Sequence, residues 1–98
     1  MQYSANTLEH HWIPFTPNRE FKESPRLVVK SKGVELWDHN GNRLLDGSSG
    51  LFCVAAGHGR TEIAEAVYAA LLENDYTAPF NLAQPSSFEM ARMVAALT

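Results

Sequence analysis

From Thr61 onward the apolar positions fall at helical spacing. Ile63, Ala66, Val67, Ala70 and Leu71 recur at i, i+3, i+4, i+7 and i+8, which is the stripe of an amphipathic helix. The pattern predicts a helix over about 61–74, with Thr61 as N-cap and Glu62 in its first turn. A second stripe, Phe88, Ala91, Val94 and Ala95, follows Pro85, and Ser86 and Glu89 stand at capping-box spacing. No Gly or Asn stop follows it, an ending expected of a truncated helix.

Upstream the pattern is that of strands. Leu27-Val28-Val29 reads as a short apolar strand, Ser31-Lys32-Gly33 as a turn and Val34 to Trp37 as a second strand. Asn40-Gly41 then marks a hairpin bend before a third strand, Arg43 to Asp46, because Asn and Gly tolerate positive φ. Three antiparallel strands are expected. In the first 25 residues bulky Trp12, Ile13, Phe15 and Phe21 are scattered among polar ones, and prolines 14, 17 and 25 exclude a long helix. This stretch reads as an arm with one short helix starting near Ser4. The organisation is thus arm 1–25, small sheet 26–46, glycine-punctuated loop 47–60 and helices 61–98.

Length and charge narrow the classes. Ninety-eight residues make one small domain at most, and 45% apolar content permits a modest core with marginal stability. A net charge of −3, with five Arg and three Lys scattered, argues against a nucleic-acid partner. No apolar run approaches a membrane span, and Met1 to His11 lacks the layout of a signal peptide. Cys53 is the only cysteine, so no intrachain disulfide forms and a reducing, cytoplasmic setting is the simpler expectation.

Candidate chemistry concentrates in the loop. Gly57-His58-Gly59-Arg60-Thr61 leads into a helix N-terminus, where free N–H groups can hold a phosphate. It lacks the Gly-Lys-Ser/Thr ending of a P-loop and the third glycine of a dinucleotide fingerprint, so ordinary turn geometry is the favoured reading. His10 and His11 are adjacent and diverge, His39 lies in a turn, and no metal site is expected. Cys53 and His58 stand in the order of a nucleophile and base, yet sequence proximity does not fix geometry, and a small buried residue is the better reading of Cys53. Lys22 lies in the arm, and Lys30 and Lys32 flank a polar turn, whereas a Schiff-base lysine needs a desolvated pocket. No lysine follows position 32. Covalent amine chemistry would therefore use a lysine outside these residues.

Trp37-Asp38, Gly41-Asn42, Leu44-Leu45-Asp46-Gly47, Ser49-Gly50-Leu51-Phe52 and Gly57-His58 resemble the N-terminal signature of class III pyridoxal-phosphate aminotransferases. His11-Trp12-Ile13-Pro14-Phe15-Thr16-Pro17-Asn18-Arg19 is similar to the arm of the omega-amino acid:pyruvate branch, which includes β-alanine:pyruvate aminotransferases. The resemblance covers essentially the whole chain. It departs at Phe52, where many relatives have Trp, which implies a wider pocket and an altered substrate preference.

This resemblance implies an α/β protein, the N-terminal fragment of a fold type I enzyme: its arm, the three-stranded antiparallel sheet of the small domain and the first helices of the large domain. It implies pyridoxal 5′-phosphate as cofactor, with the cofactor-binding lysine and phosphate loop downstream and cofactor contacts in this chain unassigned. Phe15, Leu51 and Phe52 would line the substrate pocket, and Pro79 and Phe80 would lie near the partner subunit's site in a homodimer or homotetramer. From the residues alone, core packing is the plainer reading of these aromatics. The implied reaction moves an amino group from an ω-amino acid or primary amine to pyruvate, and the chain alone is expected to be inactive. Two alternatives stay open: another class III-like enzyme, an aminomutase or a decarboxylase, and a non-enzymatic assembly module.

Overall fold

The computed structural model describes residues 8–98, so the short helix expected near Ser4 lies outside the described residues. The elements run α1 (Asn18–Glu23), β1 (Val28–Lys32), β2 (Glu35–Asp38), β3 (Arg43–Leu45), α2 (Ser49–Phe52), α3 (Thr61–Glu73) and α4 (Pro85–Ala95). Residues up to Arg60 form one compact unit and Thr61–Thr98 a second.

In the first unit the strands make an antiparallel sheet in the order β1-β2-β3. Lys32 pairs with Glu35 across a two-residue connection in which Gly33 has φ +60°, and Val28 pairs with Asp38 after a register shift between Val28 and Lys30. The first hairpin is therefore tighter than the sequence suggests. Lys30 and Lys32 both lie on β1 itself, with Lys32 directly before the turn, because the strand continues to Gly33, which adopts the left-handed turn conformation.

The second connection is organised by Asp38, one of two buried polar residues among those described. Its Oδ1 accepts from the backbone N–H groups of Asn40 (2.9 Å) and Asn42 (2.8 Å), and its Oδ2 from Asn42 Nδ2 (2.9 Å). These bonds, led by the Asn42 side chain, hold its carboxyl below the usual Asp range. Gly41, at φ +85°, closes the bend by donating to Asp38 O at 3.0 Å.

The two long helices fall where the spacing puts them, with differences at their starts. Thr61 is the first helical residue, not the residue before it. The capping box at the start of α4 does not form: Gln84 is the N-cap, Pro85 occupies the first turn and Ser87 Oγ donates to Gln84 O at 2.7 Å. Glu89 instead pairs with Arg92 (2.6 Å), one turn ahead on an exposed face.

Among the described residues no hydrophobic side chain is buried. The stripe residues Ile63, Val67 and Leu71 are each more than half exposed, as are Phe88 and Met93 on α4. The modest core that composition permits is not formed among the described residues, since the apolar stripes of α3 and α4 stay open to solvent. Exposed apolar area on this scale marks surfaces that other protein covers.

Candidate functional site

Between β3 and α3 the chain makes an unusual single turn. Ser49, Gly50, Leu51 and Phe52 have φ of 53°, 58°, 59° and 67°, so α2 is wound left-handed. Phe52 N–H donates to Ser48 O and Cys53 N–H to Ser49 O, both at 2.9 Å. For L-residues such a winding costs about 1–2 kcal/mol each, Gly excepted. It persists only where the surroundings fix it.

Asp46 fixes it. Its Oδ1 accepts from Gly50 N–H (3.1 Å), Ser48 N–H (3.3 Å) and Ser48 Oγ (3.3 Å), while its Oδ2 lies 2.6 Å from His58 Nε2. The Asp46 side chain is 6% exposed and that of His58 16%, in a chain whose apolar groups are open to solvent. His58 is tied in turn to the sheet end: its N–H donates to Gly33 O (2.8 Å) and Gly33 N–H donates to its carbonyl (2.9 Å). At Gly50 an added Cβ would come within 3.3 Å of Val54 Cγ2 at φ +58°, so glycine avoids both the crowding and the strain there.

The bond to His58, and then that to Gly50 N–H, holds the Asp46 carboxyl below the ordinary Asp range. A depressed acid stabilises the fold above its unfolded pKa and loses that contribution as pH falls through the folded value. In the full-length protein the Gly50 amide is therefore expected to stay protected from hydrogen exchange at pH about 4, where a free Asp is half protonated, and to lose protection only below it. Loss of protection centred above pH about 5 would contradict the clamp.

The turn carries two of the expected pocket residues. Leu51 and Phe52 stand side by side on it, 73% and 85% exposed. Phe15 stands on a separate bend of the arm, fully exposed at φ 54°, where Asn18 holds the backbone: Oδ1 accepts from Ile13 N–H (2.7 Å) and Nδ2 donates to Ile13 O and Thr16 O. Neither Asn18 nor Asp46 stood out as a functional residue in the sequence. The signal was present in the Asp46-Gly-Ser spacing, since Asp readily accepts from N–H groups two residues on.

Other candidates separate. Cys53 is exposed, not buried, because it caps the short turn α2 at the surface, and its Sγ donates to Leu51 O at 3.4 Å. His58 Nε2 is engaged by Asp46, so the nucleophile and base pairing with Cys53 is not made. Gly57-His58-Gly59 serves as the strand-pairing link to Gly33, in keeping with ordinary turn geometry. Pro79 and Phe80 lie on the connection between α3 and α4, with Phe80 81% exposed. No group of three or more His, Cys, Asp or Glu side chains among the described residues is placed to hold a metal. None of the described helices is long and apolar enough to cross a membrane.

No protein-family model matches the chain. An omega-aminotransferase of Caulobacter vibrioides is 41% identical over 96 residues, 98% of this chain and 22% of that protein. A β-alanine–pyruvate aminotransferase of Pseudomonas aeruginosa is 42% identical over 94 residues, 96% of this chain and 21% of that protein. The chain belongs to the class III aminotransferases. It corresponds to an N-terminal part of those enzymes and spans about a fifth of the length of the curated relatives it matches. Its fold is the matching portion of a fold type I transaminase. A thermostable (S)-enantioselective omega-transaminase of Thermomicrobium roseum superposes with a TM-score of 0.86 and 38% identity over 95% of this chain and 21% of that one. An amine transaminase from an uncultivated Pseudomonas species, solved with pyridoxal phosphate bound, matches with a TM-score of 0.79 and 29% identity, over 90% of this chain and 20% of that one.

The aminotransferase residues present here do not by themselves fit that cofactor. Its aldehyde needs an amine in a desolvated pocket. Lys22 Nζ donates to Glu9 O at 3.0 Å, Lys30 Nζ lies 4.7 Å from the centroid of the Trp37 ring, and Lys32 is exposed on β1. No enclosed ammonium exists among them.

Proposed function

We propose that the full-length protein transfers the amino group of an ω-amino acid or primary amine, such as β-alanine, to pyruvate with pyridoxal phosphate as cofactor, and that this chain contributes apolar walls. The donor leaves as a carbonyl compound and pyruvate leaves as alanine. The match to a β-alanine–pyruvate aminotransferase along 96% of the chain carries the reading. Phe15, Leu51 and Phe52 line the donor pocket in this reading, a role supported by three apolar side chains held out from the backbone at positive φ. Pro79 and Phe80 face the partner subunit of a homodimer or homotetramer, and the enzyme is cytoplasmic. The chain's part is position, because the cofactor supplies the reactive chemistry and residues elsewhere supply its lysine.

The test is alanine formation from pyruvate by the full-length protein with donors of increasing size. Transfer from β-alanine and from an aryl-substituted amine is expected. Absence of transfer from any ω-amino acid or primary amine would overturn the reading. Phe52→Trp adds ring area to the wall, so bulky aromatic amines should lose kcat/KM relative to β-alanine by about 1–3 kcal/mol in transition-state energy. Equal changes for small and large donors would mean that Phe52 is structural.

A further inference from the structure

We propose that Asp46 and His58 form a positioning pair that holds the left-handed turn Ser49–Phe52 and thereby sets the size of amino donor the enzyme accepts. The inference rests on the proposed function only for the donor; the clamp itself rests on the geometry. Four consecutive residues at positive φ include three L-residues, Ser49, Leu51 and Phe52, for which a right-handed turn is intrinsically easier. Something must oppose that relaxation. The opposition is one carboxylate, which gathers two backbone N–H groups and the Ser48 hydroxyl on one oxygen and His58 on the other.

His58 is fixed independently of the turn. Its backbone is paired in both directions with Gly33, at the end of β1, and Asp46 N–H donates to Val34 O at 2.8 Å. Both members of the pair are thus anchored to the same hairpin, and the turn is referenced to the sheet through them. Gly50 lies against this pair, with Asp46 Oδ2 and His58 Cε1 each 4.0 Å from where its Cβ would be. A shift of the imidazole therefore moves the carboxylate, and a shift of the carboxylate releases the Ser48 and Gly50 amides. Leu51 and Phe52 would then be presented differently.

The experiment compares His58→Ala with His58→Gln in the full-length enzyme, because the Gln side-chain amide can still donate to Asp46. Hydrogen exchange over residues 46–54 is read by mass spectrometry, and kcat/KM is measured for β-alanine and for a bulky aryl amine. In His58→Ala the segment should exchange faster, and the ratio of the two kcat/KM values should change by about tenfold or more. His58→Gln should restore both towards the unaltered enzyme. Unchanged exchange in His58→Ala would overturn the clamp whatever the reaction is. Faster exchange with an unchanged donor ratio, or an equal loss for both donors, would overturn the size-setting role. Should the unaltered enzyme transfer no amino group, the proposed function fails, while the exchange measurement still decides the clamp.

Discussion

Produced alone, residues 1–98 are expected to show no aminotransferase activity, no absorption band from pyridoxal phosphate held at a lysine, and no sharp cooperative unfolding. Three observations lead there. No hydrophobic side chain is buried among the described residues, so the term that normally dominates folding is largely unrealised. Helices of 13 and 11 residues are marginal in water without a packed face. The three lysines are hydrogen-bonded to a carbonyl, set over an indole, or exposed on a strand. A dye that reports exposed apolar surface should bind strongly, and thermal unfolding should be broad. A steep two-state transition, or borohydride trapping of the cofactor at Lys22, Lys30 or Lys32, would contradict this.

Phe80→Ala in the full-length protein is expected to weaken subunit association and activity together, by about 2 kcal/mol or more in association free energy. Tyr76, Phe80 and Leu82 all lie exposed on the connection between α3 and α4, at 73%, 81% and 65%. They do not fold back onto the chain's own helices. Asn81 at φ 61° and the Phe80 N–H bond to Ala78 O hold a bend that keeps Phe80 outward. An aromatic ring held out in this way is the kind of group that anchors an interface. Sedimentation showing an unaltered oligomer, with cofactor affinity and turnover also unaltered, would remove the interface role.

What the sequence revealed depended on how local the cause was. The helical stripes from Ile63 and from Phe88 located α3 and α4, since a 3.6-residue period needs no knowledge of the partner. Short apolar runs and turn chemistry located the three strands and their antiparallel order, although β1 runs on to Lys32 where a turn was expected. Burial was not legible, because the same stripe describes a helix packed within its chain and one whose cover lies elsewhere. The capping box at Ser86 and Glu89 failed because Pro85 and Gln84 offered another start and Arg92 another partner for Glu89. The arm bend around Phe15 was not legible because it depends on Asn18 bonding back to Ile13, five residues away. Likewise the bond from Asp46 to His58 spans 12 residues, and His58 is also paired with Gly33, a residue still further away in sequence. The glycines of the loop were visible; the left-handed winding of Ser49, Leu51 and Phe52 was not, because L-residues adopt it only under outside constraint.

A crystal structure of the full-length enzyme with an unreactive amino-donor analogue in its cofactor-loaded site would show directly whether the left-handed turn walls the donor pocket. Ser49–Phe52 should be wound left-handed, with Asp46 bonded to His58 and to the Gly50 amide, and Leu51 and Phe52 within about 4.5 Å of the donor's substituent. A right-handed or extended segment there, or Leu51 and Phe52 packed into protein with the donor elsewhere, would contradict it.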